Sequence, residues 1–216
     1  MRGAGNRAPV PVLLRFLSRA YPDARILLEY RNPFELLVAT VLAAQCTDLR
    51  VNRVTPPLFE RWPGPETLAA ASLADLERAV RPTGFYRNKA RAIRGLSEAL
   101  VARHGGKVPD TMEALTSLPG VGRKTASILL GGCFGKDALP VDTHVGRVAF
   151  RLGLTRSRDP GRIEKELTEI LPGTERWGFA TRLGWHGRQV CVARNPRCGG
   201  CGLAPVCPKA GVLRSA

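Results

Sequence analysis

The sequence predicts an all-α protein of about ten short helices joined by short loops. Apolar residues recur every three or four positions along most of the chain, which is the spacing of one helix face. Convincing runs of alternating apolar and polar residues, typical of half-buried strands, are absent from the sequence. Capping residues and prolines stand where such helices would begin. The periodic runs are Val10–Ala20, Phe34–Ala44, Thr47–Trp62, Leu68–Val80, Tyr86–Val101, Ala126–Phe134, Thr143–Leu152, Ile163–Leu171 and Trp177–Val190.

Individual helix starts follow from local chemistry. The segment Asn32-Pro33-Phe34-Glu35 supplies an N-cap, a proline at the first helical position and a glutamate at the third. Pro56-Pro57 lies inside the third run and should kink or end that helix, because proline lacks an N–H donor. Further cap candidates are Ser72, Thr111 and Asp142.

The charge balance points to a polyanionic partner. The 216 residues include 33 Lys and Arg against 18 Asp and Glu, a net charge of +15 that is spread along the chain. The hydrophobic content of 44% and the charged content of 24% are those of an ordinary globular protein. We therefore expect nucleic acid as the partner.

The apolar runs are too short to imply a membrane partner, because a membrane span needs about 18 residues. The first residues lack the sustained apolar stretch and cleavage site of a signal peptide, so we expect a cytoplasmic protein. A reducing compartment argues against disulfides.

Four of the six cysteines are crowded near the C-terminus, at Cys191, Cys198, Cys201 and Cys207. The surrounding segment is rich in Gly and Pro and too poor in apolar residues to pack alone. From spacing alone, four thiolates here favour a [4Fe–4S] cluster over a zinc ion, with two disulfides as the last alternative.

The segment Leu118-Pro119-Gly120-Val121 has proline and glycine where a type II turn requires them, so it predicts a hairpin between two helices with outward backbone amides. Such amides suit a DNA phosphate, although an ordinary helix joint is the alternative. Gly122 or a neighbour should cap the next helix. Arg123 and Lys124 then stand in its first turn, where acidic residues are normally preferred.

A cation in that position indicates a chemical role. An amine must be neutral to attack a carbon atom, and the helix field, burial and the neighbouring Arg123 all disfavour the charged ammonium. Lys124 is therefore a candidate nucleophile, with simple phosphate binding as the alternative. Asp142, besides capping a helix, is the candidate proton acceptor.

Together these motifs resemble the endonuclease III family of helix-hairpin-helix DNA glycosylases from bacteria. The resemblance extends over residues 10–208, and its chance occurrence is negligible. The stretches that carry it are Asn32-Pro33-Phe34-Glu35-Leu36-Leu37, Ala44-Gln45-Cys46-Thr47-Asp48, Gly84-Phe85-Tyr86-Arg87-Asn88-Lys89-Ala90, Leu118–Ala126, Val141–Val148, His186-Gly187-Arg188 and the cysteine tail.

The resemblance implies a six-helix barrel domain at residues 26–136 that contains the helix-hairpin-helix. Residues 1–25 and 137–216 would form the [4Fe–4S] cluster domain, with a DNA groove between the two. The implied partner is double-stranded DNA with a damaged base or an abasic site, bound by a monomer.

The implied activity is removal of oxidised or damaged pyrimidines, followed by strand cleavage by β-elimination. Lys124 would form a Schiff base with the sugar, and Asp142 would assist its deprotonation. The four C-terminal cysteines would bind the cluster. Residues expected to contact DNA are Gln45, which would fill the space left by the extruded base, and Phe85, Gly120, Gly122, Arg123, His144 and Arg147.

Several departures affect the expected specificity. Thr83 stands where an apolar residue would wedge the opposite strand, and Phe85 replaces an aliphatic neighbour. The same scaffold with mismatch or pyrimidine-dimer specificity is therefore an alternative. Another is a non-catalytic DNA-binding module with structural zinc. An electron-transfer protein is disfavoured, because it has no use for the basic excess and the hairpin.

Overall fold

The computed structural model describes residues 7–216, and this part of the chain is all-α and contains no β-strand. A short 3₁₀ helix, Arg81–Thr83, precedes the longest helix. Across residues 7–216, no helix has the combined length and hydrophobicity needed to cross a membrane. The helices are α1 (Val10–Ala20), α2 (Pro33–Leu42), α3 (Asp48–Arg61), α4 (Pro65–Ala69), α5 (Leu73–Val80), α6 (Tyr86–His104), α7 (Met112–Thr116), α8 (Arg123–Phe134), α9 (Thr143–Arg151), α10 (Pro160–Ile170) and α11 (Gly173–Gln189).

The helices form two compact units. One unit is Ile26–Lys136, and the other takes its described residues from Met1–Arg25 and Asp137–Ala216. The first unit therefore contains α2 to α8, and the second contains α1 and α9 to α11.

Helix α6 is the centre of the unit Ile26–Lys136. It packs against α2, α4 and α5, while α8 packs against α2 and α7. Apolar side chains from all the helices of this unit are buried, and their removal from water is the main stabilising contribution. They include Leu36, Leu37, Leu58, Leu68, Leu76, Ile93, Leu96, Leu100, Leu115 and Leu129.

The second unit packs α11 against α1 and α9. Its core combines residues far apart in sequence, so the N-terminal helix is an integral part of the C-terminal unit. The buried side chains include Leu13, Leu17, Val145, Val148, Leu167, Phe179, Leu183 and Leu203.

The predicted caps are confirmed. Asn32 Oδ1 accepts a hydrogen bond from the Glu35 amide at 2.9 Å, and Pro33 is the first residue of α2. Ser72 and Thr111 cap α5 and α7 through their hydroxyl oxygens. Each cap satisfies a backbone donor that the helix itself leaves unpaired.

Two local predictions were wrong. The run expected to be one helix over Leu68–Val80 is two, α4 and α5, because Ser72 starts a new helix by accepting from the Asp75 amide at 3.1 Å. Helix α3 does not end at Pro56-Pro57 but continues to Arg61.

The continuation of α3 past the two prolines has a physical cause. Both prolines are exposed, so the carbonyls they leave unpaired are near water, while α3 buries apolar side chains before and after them. Burial of four such side chains outweighs a proline penalty of about 3 kcal/mol per residue. The four are Val51, Val54, Leu58 and Phe59.

Candidate functional site

The segment between α7 and α8 is a tight hairpin turn. The Val121 amide donates to Leu118 O at 3.1 Å, and Gly120 has φ +76°, as a type II turn requires at its third residue. A Cβ atom on Gly120 would lie 2.9 Å from Ala92 Cβ, so the turn lies directly on α6. Gly122 is the N-cap of α8, as predicted.

Lys124 is the second residue of α8, and its side chain is exposed. The first turn, Arg123-Lys124-Thr125-Ala126, contains no acidic residue, so the predicted conflict with the helix field is present. Lys124 is not buried in the fold. Burial by the protein is therefore not what would neutralise its amine. Of the causes expected from the sequence, the helix field, the neighbouring Arg123 and a proton acceptor remain.

Two predicted DNA-contacting residues have unusual backbone geometry. Gln45 lies in the turn between α2 and α3 with φ +53°, and Phe85 precedes α6 with φ +48°. This left-handed conformation costs a non-glycine residue about 1–2 kcal/mol. Both side chains are exposed, and that of Phe85 is 64% exposed. Strain of this kind is concentrated at functional sites.

Thr83 does not have the position expected of a wedge. Its side chain is only 2% exposed, and its hydroxyl donates to Val80 O at 2.8 Å. A residue at this position faces the interior, so Phe85 is the apolar side chain that this loop presents to solvent.

Asp142 is the N-cap of α9, as predicted. Its Oδ1 accepts hydrogen bonds from the amides of His144 and Val145, both at 2.8 Å. The other oxygen, Oδ2, lies 4.0 Å from a guanidinium nitrogen of Arg188 on α11. The carboxylate is thus held in one orientation, with one oxygen engaged in capping.

His144 and Arg147 have partners inside their own unit. Arg147 donates to Cys191 O at 3.1 Å, to Gly187 O at 2.7 Å and to His144 Nδ1 at 3.2 Å. Burial is the main cause that lowers the pKa of each residue. These bonds tie α9 to the end of α11, and the DNA-contact role of both side chains stays a prediction.

The four C-terminal cysteines line one cavity, which contains about 400 Å³ of empty space, part of it open to solvent. Burial raises the pKa of Cys201 and Cys207, and the neighbouring cysteines contribute in the same direction. Backbone hydrogen bonds from Leu203 and from Lys209, respectively, oppose that effect.

Several hydrogen-bond donors point at the cysteine sulfurs. Arg151 Nη1 lies 3.3 Å from Cys191 Sγ, and the Lys209 amide lies 3.4 Å from Cys207 Sγ. Arg151 also donates to the carbonyls of residues 191–193. Sulfurs that accept N–H bonds are typical of thiolate ligands in iron–sulfur proteins. Among residues 7–216, no group of three or more His, Cys, Asp or Glu side chains is arranged to hold a metal ion.

His186 is a site residue to which the sequence assigned no role. It is 2% exposed, and its two ring nitrogens face Tyr21 Oη at 2.9 Å and Cys201 Sγ at 3.7 Å. Burial lowers its pKa to about 4, so the ring is neutral at physiological pH. Tyr21 is 165 residues away in sequence, which is why no local pattern indicated this pair.

Comparison with known proteins places these features in one family. The model of the HhH-GPD superfamily of base excision DNA repair proteins matches residues 38–173. The chain is 48% identical to endonuclease III of Synechocystis sp., over 96% of this chain and 95% of that protein. It is 44% identical to endonuclease III of Bacillus subtilis, over 94% and 93% of the two chains.

A solved structure agrees with these sequence matches. A trapped endonuclease III–DNA covalent intermediate, an estranged-adenine complex, superposes with a TM-score of 0.88 at 44% identity. The match covers 92% of this chain and 93% of the other. The chain has the helical hairpin described above, and almost its whole length aligns with these proteins. It therefore belongs to the endonuclease III family of the HhH-GPD superfamily of base excision DNA repair proteins.

Proposed function

We propose that this protein is a bifunctional DNA glycosylase and abasic-site lyase that acts on oxidised or otherwise damaged pyrimidines in duplex DNA. The observation that carries the proposal is the exposed Lys124 at the second position of α8, directly after a glycine hairpin that suits phosphate. We further propose that it acts as a monomer in the cytoplasm, where the chromosome is.

In the proposed reaction, the lone pair of Lys124 Nζ forms a bond to C1′ of the damaged nucleotide. The glycosidic bond breaks, and the base leaves with the proton that the attacking amine gives up by way of Asp142. Opening of the sugar ring gives an imine between Nζ and C1′, which acidifies the C2′ hydrogen. Loss of that proton forms a C2′=C3′ double bond and expels the 3′ phosphate, and water then releases the lysine.

Asp142 is proposed to take the proton from the attacking amine and to stabilise positive charge on the sugar. Its Oδ1 is engaged by the two capping amides, which leaves Oδ2 as the oxygen that can accept a proton. Lys124 is exposed, so a bound duplex can reach its amine.

Binding is proposed to use the hairpin for one phosphate and two loops for the base stack. Gly120, Gly122 and Arg123 would hold the backbone through amides and one positive charge. Extrusion of a nucleotide costs a few kcal/mol, and Gln45 and Phe85 would occupy the space it leaves. The net charge of +15 supplies the sequence-independent attraction to DNA.

Cys191, Cys198, Cys201 and Cys207 are proposed to hold a [4Fe–4S] cluster. Four cysteine sulfurs line one cavity, some with N–H donors, and cysteine thiolates are the ligand type that this group takes. When bound, the cluster would cross-link the loop that follows α11. Neutral His186, with Tyr21 at Nδ1, can donate its Nε2 hydrogen to Cys201.

A panel of duplex oligonucleotides tests the function. It contains thymine glycol, a preformed abasic site, uracil, a thymine mismatch and a pyrimidine dimer, each incubated with the same preparation. We expect base release and β-elimination on thymine glycol and cleavage at the abasic site. Preference for the mismatch or the dimer would assign the alternative specificity, and binding without cleavage of any duplex would refute the enzyme.

A further inference from the structure

Lys89 is a buried lysine that the proposed chemistry does not use. It lies in the first part of α6, and it is only 5% exposed. Its Nζ donates to the backbone carbonyl oxygen of Thr83 at 2.7 Å. A buried ammonium is costly unless it makes specific interactions, so its location requires a reason.

The bond from Lys89 spans the turn that presents Phe85. Between the two bonded residues the chain passes through Gly84 at φ +70° and Phe85 at φ +48°. Thr83 itself is held from the other side, because its hydroxyl donates to Val80 O at 2.8 Å. The carbonyl of Thr83 is therefore fixed from α6, immediately before the two left-handed residues.

We propose that Lys89 is a positioning residue that holds the turn of Phe85 in one arrangement, so that this side chain can enter the base stack. The inference rests on the proposed DNA-binding role of Phe85. Lys89 acts through the Thr83 carbonyl, and it has no part in the chemistry of Lys124.

The test begins with Lys89→Met, which keeps the length and apolar stem and removes the N–H donors. The matched control is Ser97→Ala on the same helix, because Ser97 is also buried and bonds only within α6, to Ile93 O at 2.8 Å. Fluorescence of 2-aminopurine opposite the lesion reports loss of stacking when the protein binds, and it does not require catalysis.

We expect K89M to reduce the fluorescence increase and to slow single-turnover base excision by about tenfold. S97A should leave both unchanged. The decisive comparison is a double-mutant cycle with Phe85→Ala: if Lys89 acts by positioning the wedge, K89M should have little further effect once Phe85 is removed. Multiplicative effects of the two substitutions, or a K89M protein that behaves like S97A, would overturn the proposal.

If K89M does not fold, as judged by urea unfolding, Lys89→Gln decides, because it keeps an N–H donor on a shorter, uncharged side chain. We expect K89Q to lose part of the fluorescence change, and a full wild-type response would overturn the proposal. Borohydride trapping at a preformed abasic site tests the proposed function separately from the role of Lys89. Failure of the wild type to trap would refute the proposed function, while the fluorescence would still report on Lys89.

Discussion

Replacement of Asp142 by Asn separates the two roles of one carboxylate. The side chain caps α9 through two amide hydrogen bonds of 2.8 Å, and it is proposed to accept a proton during catalysis. Asn caps helices about as well as Asp, so D142N keeps the cap and loses the charge. Asp142→Ala loses both.

The expected cost in stability is small and can be worked from the contacts. Loss of the charge at a helix start costs about 0.3–1 kcal/mol. The partly exposed Arg188, 4.0 Å away, adds less than about 1 kcal/mol. The unfolding free energy of D142N should therefore lie within about 2 kcal/mol of the wild type, and D142A should lose about 1 kcal/mol more with the cap.

The expected cost in activity is much larger. A positioned proton acceptor contributes about 10²–10⁴ in rate, which corresponds to about 3–5 kcal/mol of barrier. Urea unfolding and single-turnover excision of thymine glycol measure the two quantities on one preparation.

Asp159→Asn is the matched control, because Asp159 caps α10 by accepting from the Arg162 amide at 2.8 Å and lies outside the proposed site. D159N should change stability to a similar extent and leave excision intact. A D142N protein that excises the base at the wild-type rate would show that Asp142 is only a cap.

Three further predictions concern the hairpin turn, the cysteine cluster and the buried lysine of α6. Gly120→Ala should lose about 2 kcal/mol or more of unfolding free energy in urea, because a Cβ at φ +76° would lie 2.9 Å from Ala92 Cβ. Gly122→Ala should lose far less, because the space at its Cβ is open. Equal losses in the two variants would contradict the packing described for Gly120. Cys198→Ser should remove the brown colour of the isolated protein, whereas a colourless wild type with one bound zinc would refute the cluster. Burial lowers the pKa of Lys89 in the folded protein below its ordinary value of 10.5. At a pH between the folded and unfolded pKa values, only the unfolded chain keeps this proton, so the stability of the wild type relative to K89M should rise as the pH rises through this window. Parallel pH profiles of the two proteins would contradict this prediction.

Much of the fold could be predicted because its causes are local. Helix α1 matches its periodic run over Val10–Ala20, since Leu13 and Leu17 face the core at the expected spacing. The Asn32 cap and the hairpin at Gly120 depend on neighbouring residues that the sequence displays directly. The break at Ser72 was missed because apolar spacing continued across it.

Only part of the proposed site could be predicted from local sequence. Lys124 and Asp142 lie in motifs whose chemistry is local, and the helix starts that contain them could be predicted from neighbouring residues. The supporting residues depend on tertiary contacts. Arg151 bonds to carbonyls and a sulfur 40 or more residues away, and His186 meets Tyr21 from 165 residues away.

Backbone conformation was the other feature that could not be predicted from the sequence. Residue type does not favour a left-handed conformation at Gln45 or Phe85, so their strain was visible only in the structure. The side-chain direction at Thr83 was likewise misjudged, because the 3₁₀ turn that buries it is too short to produce a pattern.

The most direct test of the central claim is borohydride trapping on an abasic duplex with Lys124→Ala and its control Lys165→Ala. Lys165 is exposed on α10 and has no proposed role, so K165A should trap like the wild type. We predict that the wild type forms a covalent protein–DNA adduct on the peptide containing Lys124, and that K124A forms none. An adduct of wild-type yield with K124A would contradict the assignment of Lys124 as the nucleophile.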